Sequence, residues 1–145
     1  MAALPADWGV PELDATNGAW FTSGALAVQQ CATCGVLQHP PEEICHQCGE
    51  TSFDVNVLAP RGTVHSYTVV HYAANRALVD AVPYTVVLVS LDGAPHLRVV
   101  GNMEGDVEIG MPVVPYWEER TAEDGTVVLL PQWRKARPEP DESRS

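Results

Sequence analysis

The chain has 145 residues, enough for one compact domain or for two small units that share a surface. Its formal charge is −11, and residues 1–60 hold seven acidic residues but no lysine or arginine, so this part is a poor match for a phosphate backbone. No run of about 18 apolar residues occurs, so we expect no membrane-spanning helix. The first residues also lack the pattern of a secretory signal, which favours a cytoplasmic location.

The N-terminal part predicts a short helix ahead of the cysteines. We expect it to begin at Leu13, with Asp14 as its cap and Gly24 as its stop signal. Trp20 and Phe21 are adjacent in this helix and point in different directions, so one of them is a candidate for contact with a partner. The alternative is that both are half-buried against the segment that follows.

Four cysteines form two matched pairs, Cys31-Ala-Thr-Cys34-Gly35 and Cys45-His-Gln-Cys48-Gly49. A turn with the C-x-x-C spacing points two sulfurs at one ion, and the glycine after the second cysteine suits a position of positive φ in that turn. Two such turns facing each other make a closed tetrahedral site. The spacing therefore predicts one structural metal ion, zinc, with the ligands Cys31, Cys34, Cys45 and Cys48.

The cysteine pattern also admits alternatives to a zinc site. Two disulfides are typical of oxidising compartments, and a redox C-x-x-C motif does not need a second copy with a matching glycine. Iron is the alternative metal, because tetrahedral four-sulfur sites bind either ion. His39 and His46 lie close to the cysteines in sequence, but with four sulfur ligands available we expect both histidines on the surface.

From residue 59 onward the apolar residues alternate with a period of two, which indicates short strands. Five strands are predicted, at residues 63–70, 84–91, 97–101, 111–117 and 126–133, with hairpin turns at Asp92-Gly93 and Glu123-Asp124-Gly125. Five short strands favour a small barrel, and the OB-fold is the most common barrel of this kind. Trp117 and Trp133 lie at strand ends and are expected in the barrel core or at its rim.

The predicted architecture is mainly β: a short N-terminal helix, a rubredoxin-like zinc ribbon and a five-stranded OB-fold barrel. The predicted domains are residues 1–58 for the helix and ribbon, 59–135 for the barrel and 136–145 for a charged, disordered tail. The ribbon is too small to be stable through apolar burial alone. We therefore expect the metal to supply much of its folding free energy.

This order of elements resembles the acyl-CoA-associated family of zinc-ribbon/OB-fold proteins, over about residues 12 to 133. The matching motifs are Gly-Ala-Leu (24–26), Gln-Cys-Ala-Thr-Cys-Gly (30–35), Pro-Pro (40–41), Cys-His-Gln-Cys-Gly (45–49), Arg-Gly-Thr-Val-His-Ser-Tyr-Thr (61–68), Pro-Tyr (83–84), Leu-Asp-Gly (91–93) and Ile-Gly-Met (109–111). Many relatives carry an arginine beside the first cysteine, where this chain has Gln30. That departure argues against a phosphate contact by the ribbon.

The resemblance implies a non-catalytic accessory subunit of a thiolase-superfamily enzyme that acts on acyl-CoA thioesters. In such a complex the ribbon and helix dock on the enzyme, the barrel flanks the CoA-thioester channel, and the enzyme supplies the catalytic residues. The more specific expectation is retro-aldol cleavage of a steroid acyl-CoA side chain in lipid metabolism. The partners implied are a thiolase-fold subunit in a hetero-oligomer and, indirectly, acyl-CoA, with no nucleic acid and no membrane.

The loop between the first two barrel strands is long for a compact domain, and in OB-folds this edge faces ligands. It contains Tyr72, Asn75 and Arg76, and Arg76 is its one cation. The arginine is a candidate for contact with a CoA phosphate or a partner carboxylate, against the alternative of a solvated loop residue. His65 and His71 are candidates for proton transfer only if a cleft forms, and we expect structural or surface roles for both.

Three other functions remain possible from the sequence. A nucleic-acid-binding OB/zinc-ribbon module predicts salt-sensitive binding, which the charge of −11 disfavours. A rubredoxin-like electron carrier requires iron and reversible one-electron chemistry. The third is a scaffold that binds the enzyme without touching the substrate. It differs from the accessory subunit described above only in whether Arg76 affects acyl-CoA binding. No nucleophile elbow, metalloprotease motif or phosphate loop is present, so we expect no activity from this chain alone.

Overall fold

The structure, a computed structural model, describes residues 9–137. Helix α1 (Gly18–Thr22) precedes three short strands, β1 (Leu26–Cys31), β2 (Leu37–Gln38) and β3 (Phe53–Leu58). Five longer strands follow: β4 (Gly62–Val70), β5 (Tyr84–Leu91), β6 (Ala94–Glu104), β7 (Pro112–Thr121) and β8 (Val127–Lys135). No helix within residues 9–137 has the length and apolarity to cross a bilayer. The predicted start of the disordered tail is wrong at Ala136, which is buried and donates a hydrogen bond from its amide to the Pro112 carbonyl oxygen at 3.0 Å, and residues 138–145 lie outside the described residues.

The five longer strands form a closed barrel with the order β4-β5-β6-β8-β7. Strand β7 pairs back with β4 at Gly62↔Val113 and Thr63↔Pro112, while β6 and β8 run parallel to each other. A five-stranded barrel with this connectivity is an OB-fold. The predicted fold class, mainly β with one short helix, a zinc ribbon and a five-stranded barrel, is therefore confirmed.

The predicted barrel strands are found in the right places, and four of them are longer than predicted. Strand β5 has the predicted limits, and the two residues Asp92 and Gly93 join it to β6 in a hairpin. Strand β6 extends over Ala94–Glu104 because its two ends have different partners, β5 along most of its length and β8 at Met103 and Glu104. Such pairing between distant segments is not visible in the pattern of a single strand.

The ribbon strands form a separate sheet with the order β2-β1-β3, so that β1 lies in the centre. Leu26 and Val28 on one face of β1 belong to the same hydrophobic cluster as the barrel residues Val87 and Trp133. Ala27 on the opposite face is also buried, at 4% exposure, so β1 is covered on both sides. Strands β2 and β3 were not predicted: β2 has only two residues, and β3 leaves two of its valines exposed.

Helix α1 is shorter than predicted, because a hydrogen-bonded turn takes the place of its first residues. The Asp14 carboxylate accepts hydrogen bonds from the amides of Thr16 and Asn17, both at 2.8 Å. The Asn17 side chain accepts one from the Asp14 amide at 2.9 Å. Asp14 therefore caps the turn before the helix. Gly24 has φ 63°, as expected of a residue that stops a helix.

Trp20 lies in the core, where it joins the ribbon to the barrel. Only 3% of its surface is exposed. Its ring lies 4.3 Å from the His39 ring and 6.1 Å from the Trp117 ring, measured between centroids. Phe21 is half-buried against the same cluster. Trp20 therefore packs within the chain and lacks the exposed surface that contact with a partner requires. Phe21 is partly exposed and stays the candidate for that contact.

Replacement of Trp20 by alanine tests this packing role. We expect the free energy of unfolding to fall by about 3–5 kcal/mol, because the change leaves a cavity between the ribbon and the barrel. Tyr72→Ala is the matched control, since Tyr72 is 82% exposed and its loss should change stability by less than about 0.5 kcal/mol. Denaturant unfolding measures both variants, and equal stabilities would contradict the core position of Trp20.

Candidate functional site

The four cysteine sulfurs converge on one point. All four Sγ atoms lie within 4.8 Å of one another. The Sγ atoms of Cys31 and Cys48 are 3.5 Å apart, and those of Cys34 and Cys45 are 3.7 Å apart. Zinc–sulfur bonds of about 2.3 Å in a tetrahedron require sulfurs about 3.8 Å apart. The residues therefore fit a single four-coordinate metal ion.

Two turns of the same geometry hold the sulfurs. Gly35 and Gly49 each follow a second cysteine, and each has φ 78°. The Gly35 amide donates to the Cys31 carbonyl oxygen at 2.9 Å, and the Gly49 amide donates to the Cys45 carbonyl oxygen at the same distance. The positive φ predicted for both glycines is confirmed. A side chain at either position would strain the turn that aims its sulfur pair.

Backbone amides make the first cysteine of each pair the more acidic one. The Cys34 amide lies 3.4 Å from the Cys31 sulfur and contributes most to lowering the pKa of that thiol to about 6. The Cys48 amide lowers the pKa of Cys45 in the same way. For Cys48 the Glu50 amide favours the thiolate, but lost hydration and the neighbouring sulfurs outweigh it and raise the pKa to about 12. A bound cation would relieve this repulsion and keep all four sulfurs ionised.

Two buried glutamines fix the segment between the cysteine pairs. Gln29 Nε2 donates to the Glu42 carbonyl oxygen at 2.7 Å, and Gln29 Oε1 accepts from the Glu42 amide at 3.0 Å. Gln38 Nε2 donates to Gln29 Oε1 at 2.6 Å, and Gln38 Oε1 accepts from the His46 amide at 3.2 Å. Sequence reasoning missed both residues. The signal in the sequence was weak: Gln29 is a polar residue two positions before the first cysteine, and Gln38 lies between the cysteine pairs.

The two histidines near the cysteines are not part of the sulfur cluster. His46 is exposed, as expected. His39 differs from the expectation of a surface residue: it is half-buried against Trp20, and burial lowers the pKa of its imidazole to about 4. Its ring is therefore neutral at pH 7 and packs as an aromatic group.

The candidate loop residues lie at the outer end of the β4–β5 hairpin. Tyr72 is 82% exposed, and Arg76 is exposed at the start of a 3₁₀ turn, Arg76–Leu78. The Asn75 side chain accepts a hydrogen bond from the Ala77 amide at 2.9 Å, so it caps this turn. The loop thus presents one tyrosine and one arginine to the surroundings, and their contact with CoA or a partner stays a prediction.

The remaining histidines are exposed side chains of the barrel. His65 lies exposed on β4, and His71 is exposed just after it. His96 Nε2 lies 3.1 Å from the Leu37 carbonyl oxygen, a contact that ties the barrel to the ribbon. Trp133 is fully buried in the barrel and Trp117 is partly buried beside it, as predicted for core and rim.

Models of known protein families match both halves of the chain. The family model described as "ChsH2, rubredoxin-like zinc ribbon domain" matches residues 22–54, and the model described as "ChsH2, C-terminal OB-fold domain" matches residues 56–118. A DUF35 domain-containing scaffold protein of Methanocaldococcus jannaschii is 31% identical over 112 residues, which are 75% of this chain and 78% of that protein. The chain belongs to the ChsH2 (DUF35) family. The resemblance found in the sequence is therefore confirmed.

Solved structures of the ChsH2 (DUF35) family agree with this fold. A structure described as "Ltp2-ChsH2(DUF35) aldolase" matches with a TM-score of 0.72 and 36% identity, over 88% of this chain and 100% of that chain. A DUF35 protein of unknown function from Sulfolobus solfataricus matches with a TM-score of 0.52 and 14% identity, over 79% of this chain and 78% of that chain. The second match supports the fold alone.

Two longer relatives of this ChsH2 (DUF35) chain are described as hydratase subunits. A probable enoyl-CoA hydratase alpha subunit of Thermomonospora curvata is 37% identical over 134 residues, which are 89% of this chain and 40% of that protein. The 3-oxo-4,17-pregnadiene-20-carboxyl-CoA hydratase alpha subunit of Mycobacterium tuberculosis is 32% identical over 121 residues, which are 81% of this chain and 34% of that protein. The chain thus spans well under half of either relative.

Metal analysis tests the four-cysteine centre. We expect about one zinc ion per chain by elemental analysis, a colourless protein, and loss of the metal in Cys34→Ser, because three sulfurs leave the coordination incomplete. The ribbon should then unfold, since the metal supplies its folding free energy. His46→Ala is the control and should retain its zinc. A red protein that contains iron would overturn the zinc assignment.

Proposed function

We infer that this chain is a non-catalytic accessory subunit that binds and supports a thiolase-superfamily enzyme acting on acyl-CoA thioesters. One observation carries the inference. The chain matches, at 36% identity, all of a chain in the structure described as an Ltp2-ChsH2(DUF35) aldolase, in which a DUF35 protein is named together with an aldolase. The description of the Methanocaldococcus jannaschii relative as a scaffold protein supports the same role.

The chemistry of the metal centre supports a structural role for the ion. A catalytic zinc ion needs an open coordination position, whereas four cysteine ligands occupy every position of a tetrahedron. The ion that these residues would hold is therefore a cross-link between the two turns. The residues that act on the substrate would come from the enzyme partner.

Within the complex, the ribbon and helix α1 dock on the enzyme, and the barrel flanks the channel for the CoA thioester. The loop that carries Tyr72 and Arg76 is the candidate contact with CoA. It projects from the barrel at the β4–β5 hairpin, and its arginine is exposed. An exposed guanidinium can reach a CoA phosphate without losing a partner within the loop.

The more specific proposal is retro-aldol cleavage of a steroid-CoA side chain, in which the enzyme breaks a carbon–carbon bond of the acyl group. The Mycobacterium tuberculosis relative is named for a steroid-derived acyl-CoA, and it is 32% identical to this chain. Because the chain spans 34% of that protein, the steroid substrate enters here only as a proposal.

Co-expression with any thiolase-fold enzyme encoded beside this chain tests the proposal. We expect a stable complex that co-purifies, and acyl-CoA turnover that disappears when this chain is omitted. Turnover is followed by release of the shortened CoA ester. An enzyme that neither binds this chain nor changes its activity in its presence would refute the accessory role.

Arg76→Ala distinguishes contact with CoA from a purely scaffolding role. If Arg76 meets a CoA phosphate, KM for acyl-CoA should rise about two- to fivefold with kcat unchanged, as expected from the loss of one exposed ion pair. Arg98→Ala is the control, since Arg98 is also exposed but lies on the barrel strand β6. Steady-state kinetics of the complex gives both constants. An unchanged KM would favour the scaffold that never touches substrate.

A further inference from the structure

A groove of about 370 Å³ lies on the outer face of the ribbon, between helix α1, strand β3 and the loop before the second cysteine pair. We call it the α1–β3 groove. Its floor includes Phe53 and Val55, one wall includes Ala19 and Trp20, and its rim carries the exposed acidic side chains Glu42 and Glu43. The floor and the rim thus differ sharply in polarity.

The apolar floor continues to the edge of the sheet. Strand β3 is an edge strand, and in the described part of the chain its ladder partner is β1. Val55 is 53% exposed, and Val57, two residues further along the same face, is 64% exposed. Exposed β-branched residues in a row on an edge strand are a typical contact surface for another protein.

The negative charge around the groove favours a positively charged binding partner. Residues 1–60 contain seven acidic side chains and no lysine or arginine to balance them. A CoA phosphate or a nucleic acid would be repelled there, since like charges disfavour each other in a partly desolvated site. The long side chains of arginine and lysine suit such a groove, because their methylene stems pack on apolar surface while their charged ends reach carboxylates.

We propose that the α1–β3 groove binds a basic segment of the enzyme subunit, with an arginine or lysine side chain lying on Phe53 and Val55 and its charge at Glu42 and Glu43. This inference rests on the proposed function and identifies the docking surface within it. The ribbon thereby contributes specificity and association rate through charge, while the exposed valines contribute apolar contact.

The rim can be altered without disturbing the fold. Glu42 holds Gln29 through its main-chain amide and carbonyl groups, so its side chain is not needed for that anchor. The Glu43 side chain is also exposed. The test variant is the double substitution Glu42→Lys, Glu43→Lys. The matched control carries Glu119→Lys and Glu123→Lys, two exposed positions of the barrel and its loops.

Affinity for the co-expressed enzyme is measured by titration at several salt concentrations. We expect the groove variant to weaken Kd at least tenfold and to lose most of the salt dependence, and the control to change Kd less than twofold. Zinc content and thermal stability verify that both variants are folded. If wild type forms the complex and the groove variant binds equally well, the docking surface is wrong while the accessory role stands. If wild type forms no complex, both fail.

Photocrosslinking identifies the occupant directly. The photoreactive residue p-benzoylphenylalanine is placed at Val55 in the groove and, as a control, at Val100, which is 61% exposed on the barrel. Crosslinks from Val55 to an enzyme peptide that contains arginine or lysine, distinct from any peptide reached from Val100, support the proposal. Crosslinks from Val55 to residues 1–8 of the same chain or to a second copy would overturn it.

Discussion

The burial of strand β1 on both faces is the constraint on which the rest of the structure depends. Its inner face, with Leu26 and Val28, completes the hydrophobic cluster of the barrel, and Ala27 on its outer face is buried and lines the α1–β3 groove with Ala19. Because β1 runs directly into Cys31, this packing also positions the first pair of sulfurs. The barrel core, the metal centre and the α1–β3 groove, which Ala27 also lines, therefore share this strand.

The two halves of the chain are stabilised in different ways. The barrel is stabilised by burial of a continuous apolar core that includes Trp133. The ribbon has short strands and little core of its own, so a cross-link by four thiolates compensates for what it cannot bury. All of the basic side chains lie from Arg61 onward, which leaves the ribbon strongly acidic. The ribbon surface is negatively charged, whereas the barrel carries charges of both signs. This difference suits a subunit that docks on its partner in one orientation.

Short-range features were determined by the sequence itself. The C-x-x-C-G spacing specifies the metal turns, because both sulfurs and the glycine lie within five residues, and Gly35 and Gly49 have the same φ of 78°. The hairpin at Asp92 and Gly93 and the limits of β5 follow from turn residues and alternation within a few positions. Together with the order of the elements, these local signals were sufficient to specify the fold class and the family.

The tertiary structure decided which surfaces are covered. Trp20 is buried, whereas Val55 and Val57 are exposed, although all three are apolar residues in regular elements. The roles of Gln29 and Gln38 depend on a loop that folds back over β1. Helix α1 is short because side-chain hydrogen bonds near Asp14 stabilise a turn instead. Periodicity within one element shows that it has two faces, but only contacts between residues distant in sequence determine which face is buried.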